Sequence, residues 1–184
     1  MRHGGLHYQD FSMSAFNQLV SRRPYYMLSL LKDYENVLYS DIDTVWLQDP
    51  RPYFKGEYDF FAQLDGVIDG DSYVKGYLPY FCTGFLAMRN TPGTIQLLKS
   101  WTFELEKELR QDQTLFNMQV HKLNTNGRPL PMTKFPCGML YFEEMPESVQ
   151  NEVVIVHNNF VIGIPKKIQV RQNNVSKKKV ERRC

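Results

Sequence analysis

Asp41 and Asp43 stand one residue apart inside an apolar run. Val37-Leu38-Tyr39-Ser40 leads into them, and Val45-Trp46-Leu47 follows before Asp49-Pro50. A carboxylate buried without a partner loses its hydration, which is costly. A bound divalent cation removes that cost. Mg²⁺ and Mn²⁺ take oxygen ligands, commonly one or two carboxylates together with substrate phosphates. In extended backbone, side chains two residues apart point the same way. The pair therefore reads as a metal clamp at the end of a buried strand. A second apolar run, Val153-Val154-Ile155-Val156, ends on His157. An imidazole beside two carboxylates suits Mn²⁺ better than Mg²⁺. Asp41, Asp43 and His157 are the candidate ligands, for a metal that would bridge a diphosphate.

Helices and strands must bring these residues together. Phe11, Ala15, Phe16, Leu19 and Val20 recur at helical spacing, and Tyr26, Met27, Leu30 and Leu31 continue the stripe. Residues 10–34 read as helical, with a fresh start at Ser21 and Pro24. Strands are expected at 36–40, 58–63, 81–88 and 153–156, with shorter ones at 130–134 and 140–142. Thr91 caps a helix with Pro92 at its first position. Ile95, Leu98, Trp101, Leu105 and Leu109 form its inward face. Asp112 caps a second helix, from Gln113 to about Lys122. Residues 65–79 form a long loop, a sign of function or mobility. Strands alternating with helices argue an α/β sandwich with a mixed sheet. Ligands bind such sheets at the carboxyl ends of strands, where Asp41, Asp43 and His157 fall.

The 184 residues allow one domain with a core, and 42% hydrophobic and 14% aromatic residues are globular values. No apolar run reaches the roughly 18 residues of a membrane span, and Met1-Arg2-His3-Gly4-Gly5 does not lead into a signal-peptide apolar region. Net charge is +2, yet residues 166–184 hold eight Lys/Arg against Glu181, so the rest of the chain is acidic. This basic tail reads as a solvated end, with weak attraction to phosphates or an anionic membrane as the lesser alternative. The absence elsewhere of a basic face interleaved with aromatics gives little support to nucleic-acid binding. Cys82, Cys137 and Cys184 match no zinc spacing. Cys82 and Cys137 are either two buried thiols or a pair in an oxidising compartment. Asn174-Val175-Ser176 is a glycosylation sequon, which favours a luminal setting.

Asp41-Ile42-Asp43-Thr44-Val45 resembles the signature of haloacid-dehalogenase-type phosphatases, with Asp41 as nucleophile and Asp43 as acid/base. That class also needs a strand ending in Ser/Thr, for which Thr83 is available, then a Lys and a strand ending in two acids. The last strand here ends in His157-Asn158-Asn159 without an acid pair, so this reading is the weaker one. Four segments in order over residues 36–167 resemble instead the nucleotide-diphospho-sugar transferase family, of GT-A type, that contains the plant rhamnogalacturonan-II xylosyltransferases. They are Ser40 to Pro50, Phe81-Cys82-Thr83-Gly84-Phe85-Leu86-Ala87-Met88, Asp112-Gln113 with Asn117, and His157-Asn158-Asn159-Phe160-Val161-Ile162-Gly163 followed by Lys166 and Lys167.

That resemblance implies a three-layer, Rossmann-like (GT-A) domain with a mixed central sheet over residues 10–170, then a basic tail over 171–184. It implies a metal-dependent, retaining glycosyltransferase that moves a pentose or galactose from a nucleotide-diphosphate sugar onto a glycan or glycoprotein acceptor. Asp43 would bind Mn²⁺ (or Mg²⁺) directly. Asp41 would contact the donor ribose or the metal shell, and His157 the metal or diphosphate. Gly84 would lie near donor and acceptor. Gly163 would admit the phosphates, and Lys166 or Lys167 would neutralise the leaving diphosphate. Asp112 and Gln113 would line the sugar pocket as the catalytic candidates. Each has a plainer role: helix cap for Asp112, close packing for Gly84, a structural imidazole for His157, the start of the tail for the lysines. Such transferases open with a base-binding β-α-β unit, and only the helix from about residue 10 matches here. A truncated member is therefore expected, its membrane anchor outside this chain and its place of work the Golgi lumen. A remnant that only binds a partner is the non-enzymatic alternative.

Overall fold

The computed structural model describes residues 18–65, 79–107 and 112–159. Helix α1 (Arg23–Leu30) carries a proline in its first turn, where a missing N–H costs nothing. Met27 and the following Leu31 are buried, but Tyr26 and Leu30 are 57% and 46% exposed. These pairs are each four residues apart, so they form two adjacent stripes. Only one stripe meets the sheet, which corrects the single stripe read from the sequence. Residues 10–17 of the expected helix lie outside the described residues, as do 66–78 of the long loop.

Strands β1 (Asn36–Ser40), β3 (Phe60–Leu64), β4 (Phe81–Arg89) and β5 (Gly127–Pro129) form one sheet in the order β1-β4-β3-β5. β4 runs antiparallel to both neighbours, and β5 runs parallel to β3, so the sheet is mixed as expected. Strands β2 (Thr44–Trp46) and β6 (Ile155–His157) form a separate antiparallel pair, Thr44 opposite His157. Helix α2 (Pro92–Lys107) is capped by Thr91, whose Oγ1 accepts from the Thr94 N–H at 3.1 Å. Helix α3 (Asp112–Leu123) follows, and a short α4 (Glu147–Gln150) precedes β6.

The large sheet separates two apolar layers. On one side Phe60, Ala62, Leu86 and Met88 pack against Met27, Leu31, Leu97, Trp101 and Phe116 from the three long helices. On the other, Phe61, Phe85 and Ala87 meet Leu130, Phe135, Val154 and Ile155. The second cover is thus the small sheet and its connections rather than helices. Phe60 lies so close to β5 that a Cβ at Gly127 would collide with its ring, which reserves that position for glycine.

Three further expectations are corrected. β5 ends at Pro129, short of the expected 130–134 strand, because the chain turns at Pro131, whose carbonyl accepts from the Lys134 and Phe135 N–H groups at 2.9 Å each. Leu140–Glu144 is a π-helical turn, closed by Met145 N–H to Leu140 O at 2.7 Å, not a strand. β1 is an edge strand with only Val37 buried. Leu38, Ile42, Trp46 and Leu47 are 37%, 99%, 49% and 48% exposed, so the run around the two aspartates is not a buried one. Among the described residues no helix is long and apolar enough to cross a membrane.

Candidate metal centre

The ladder between β1 and β4 continues one residue beyond β1, with Asp41 N–H donating to Gly84 O at 2.7 Å. The chain then turns. Thr44 donates to Asp41 O twice, from its N–H at 3.2 Å and from Oγ1 at 2.8 Å. Ile42 is left at the tip of this turn. The two carboxylates are therefore brought together by a hydroxyl-closed turn, not by strand alternation as expected. β2 leaves the turn and pairs with β6, and that pairing delivers His157 to the same place.

Ligand atoms of Asp41, Asp43 and His157 lie within 4.8 Å of one another. His157 Nε2 is 3.1 Å from Asp43 Oδ1 and 3.7 Å from Asp41 Oδ2. The imidazole is 3% exposed and the aspartate side chains are 29% and 19% exposed, so the cluster opens on the carboxylate side. Burial alone would lower the pKa of His157, but its hydrogen bond to Asp43 and the adjoining Cys82 outweigh that and push it up to about 10. The donor set fits a hard or borderline divalent ion: two carboxylates and one imidazole, converging and partly open. Gly84 is the floor. A Cβ there would collide with His157 Cε1 and stand 2.6 Å from Asp41 Oδ2.

Asp41 is also gripped from the other side. Tyr39 donates its hydroxyl to Asp41 Oδ1 at 2.7 Å, and Arg23 reaches the same oxygen at 3.1 Å. Burial, and then the Asp41 charge, push the Tyr39 phenol up to about 12 despite Arg23. Arg23 lies over the Tyr39 ring at 4.5 Å and pairs with Asp112 Oδ2 at 2.6 Å. Burial works against the Arg23 charge, but Asp112 and Asp41 more than restore it. Burial also lifts the Asp112 carboxyl above its ordinary range, while Arg23 pulls it back. Thr83, available in the phosphatase reading, instead donates its hydroxyl to Asp112 at 3.3 Å.

Gln113 lies beside this centre. Its Oε1 accepts from Thr83 N–H at 3.1 Å, and its Nε2 donates to Asp65 Oδ2 at 2.6 Å. Asn159 Nδ2 donates to the other Asp65 oxygen at 3.0 Å. Asn117 joins α3 to β4 by bonds to the Phe81 backbone N–H and C=O, each 2.8 Å. Asp41, Asp43, Gly84, Asp112, Gln113 and His157 thus belong to one connected region. Gly163, Lys166 and Lys167 lie outside the described residues. Cys82 and Cys137 are buried free thiols. Arg23, Tyr39, Gln63, Asp65 and Asn159 were not among the sequence candidates. Only two of them carry a local signal: Gln63 is an amide inside the apolar stretch Phe60–Leu64, and Asp65 ends that strand.

The layered α/β fold with its mixed sheet, and with the acids that follow one of its strands, is the fold of a GT-A glycosyltransferase. A family model described as nucleotide-diphospho-sugar transferase matches residues 7–170, and the chain belongs to that family. UDP-D-xylose:L-fucose alpha-1,3-D-xylosyltransferase 3 of Arabidopsis thaliana is 34% identical over 179 residues, covering 86% of this chain and 47% of that protein. A Dictyostelium discoideum UDP-galactose:fucoside alpha-3-galactosyltransferase is 25% identical, over 84% of this chain and 27% of its own length. The chain spans about half the length of the Arabidopsis relatives it matches. A solved glycosyltransferase involved in glycosylation of the major capsid of PBCV-1 has TM-score 0.58 at 10% identity, covering 87% of this chain and 77% of that one. Mouse xyloside xylosyltransferase 1 gives 0.50 at 15%, over 84% and 68%. At such identities the likeness shows the fold.

Proposed function

We propose that this chain holds the metal and donor-diphosphate clamp of a retaining glycosyltransferase, one that moves a sugar from a nucleotide diphosphate onto a glycan acceptor. The observation that carries this reading is the convergence of Asp41, Asp43 and His157 in a chain of this family. The names of the relatives support UDP-xylose or UDP-galactose as donor and a fucoside as acceptor. Mn²⁺ (or Mg²⁺) bound here supplies Lewis-acid stabilisation of the charge that grows on the leaving diphosphate.

The chain's own residues do the holding. Asp43, Asp41 and His157 would hold the ion between them. Arg23 and Tyr39 occupy Asp41 Oδ1, which keeps Oδ2 on the His157 side. Gly84 leaves room for both. Asp112 is committed to Arg23 and orders the pocket wall, while Gln113, held by Asp65, presents an amide to the sugar. Lys166 or Lys167 meets the diphosphate from the segment after Asn159. The Golgi lumen as place of work, with an anchor in the full-length protein, is part of the same proposal, supported by the Asn174 sequon.

The test is Mn²⁺-dependent hydrolysis of UDP-xylose and UDP-galactose. The intact chain turns over one donor, and Asp43→Ala lowers the rate roughly 100-fold or more. Phosphate release from monoesters with a covalent adduct on Asp41 would establish the phosphatase instead. Calorimetry showing affinity for neither Mn²⁺ nor nucleotide would leave only a binding role.

A further inference from the structure

Gln63 is a fully buried amide in the middle of strand β3. It sits where the β3–β4 register breaks: Ala62 is opposite Leu86, but Leu64 is opposite Phe81. The break leaves Cys82, Thr83 and Gly84, beside the metal centre, without partners in the β3–β4 register. A buried primary amide in a strand needs every polar atom satisfied. Its Nε2 donates to Phe135 O at 3.0 Å and to Pro136 O at 2.7 Å. Both are carbonyl oxygens, which only accept, so the amino end of the amide must lie there. The carbonyl Oε1 then faces His157 Nδ1 at 3.2 Å. An amide oxygen cannot donate. The hydrogen on Nδ1 is therefore fixed, and Nε2, facing Asp43 and Asp41, is the nitrogen left to give up its proton to a metal.

We infer that Gln63 is the positioning residue of the metal centre: by accepting from Nδ1, with its own amide locked by two backbone carbonyls, it fixes His157 to present Nε2 to a divalent ion. This rests on the metal reading of Asp41, Asp43 and His157 given above. Cys82 also approaches Nδ1, with Sγ at 3.4 Å. A thiol can donate or accept, and its other contact, from Asn159 Nδ2 at 4.0 Å, leaves the thiol hydrogen free to turn, so it does not dictate the tautomer. Gln63 can, because three hydrogen bonds leave its amide one orientation. Partners of this kind behind a ligating imidazole are worth about 10- to 100-fold in metal affinity.

Two measurements test the inference on the whole chain. In Mn²⁺ titrations followed by electron paramagnetic resonance, Gln63→Met weakens binding about 10- to 100-fold. Cys82→Ala, which leaves the Gln63 amide in place, binds as wild type does. Equal affinity in wild type and Gln63→Met overturns the inference, as does a loss in Cys82→Ala as large as in Gln63→Met. The second measurement needs no variant at position 63. In ¹⁵N-labelled wild type loaded with ¹¹³Cd²⁺, a one-bond coupling to His157 Nε2 is expected, and coupling to Nδ1 overturns the inference. Wild type that binds neither ion overturns the metal reading and this inference with it. Binding without the Gln63 effect overturns this inference alone.

Discussion

His157 is where residue chemistry becomes measurable as stability. In the metal-free chain its pKa stands at about 10, above an ordinary imidazole value near 6.5. A folded-state value raised in this way adds stability that is fully present below about pH 6.5 and is lost as pH rises through about 10. Because His157 is 3% exposed, the effect is on the order of a few kcal/mol. The urea midpoint of chelator-treated protein is expected to fall between about pH 7 and about pH 10, and His157→Gln to flatten that slope. Metal must displace the Nε2 proton, so Mn²⁺ affinity rises over the same interval. A midpoint independent of pH would contradict the His157–Asp43 pair. Gly84 belongs to this scale too. Gly84→Ala forces a methyl against His157 and Asp41, so Mn²⁺ binding measured by calorimetry should be lost while the far-ultraviolet circular dichroism stays native. The three metal candidates were legible because Asp41 and Asp43 interrupt an apolar run and His157 ends one. The turn that joins the aspartates was not, because Thr44, being β-branched, reads as a strand residue and not as a turn signal. Its role depends on where its hydroxyl points.

Elements were legible where local pattern decides them, and illegible where distant partners do. β4 announces itself as nine residues, eight of them buried, and α2 by its cap, proline and inward stripe. Leu140–Glu144 has neither alternation nor helical spacing, so its π turn had no signature. The joint between α1 and α3 could not be read at all: Arg23 and Asp112 lie 89 residues apart, and each alone passes for a surface charge or a cap. Their side chains are 6% and 5% exposed. Breaking a buried pair by removing one partner leaves the other charge stranded, at a cost of about 3–5 kcal/mol. Asp112→Ala should lower stability by that amount in urea melts. Combining Asp112→Leu with Arg23→Met should recover much of it, since no lone charge remains. A double variant as unstable as the sum of the singles would mean that the pair contributes through Asp41 and Tyr39 rather than through itself.

At the scale of the molecule, the candidate ligands sit where two sheets meet. Asp41 follows the edge strand of the large sheet, while His157 ends the small one and bridges to Cys137 on the returning chain. Two hydrophobic layers hold the large sheet from either side, but the described contacts of the small sheet are concentrated at this junction and around Phe85, Phe135 and Ile155. An ion held by all three ligands would tie the Asp41–Thr44 turn to β6 and so couple the two sheets. Binding to the folded state alone stabilises by about 2.7 kcal/mol at a hundredfold excess over Kd. For a chain of this size each kcal/mol is worth about 2–4 °C. Mn²⁺ at that excess should therefore raise the calorimetric midpoint by roughly 5–10 °C over chelator-treated protein. Asp43→Ala should abolish the rise, and hydrogen exchange should show the gain in protection at residues 41–47 and 154–157. A rise that survives Asp43→Ala, or protection gained elsewhere, would place the ion outside this junction and remove the link between the clamp and the fold.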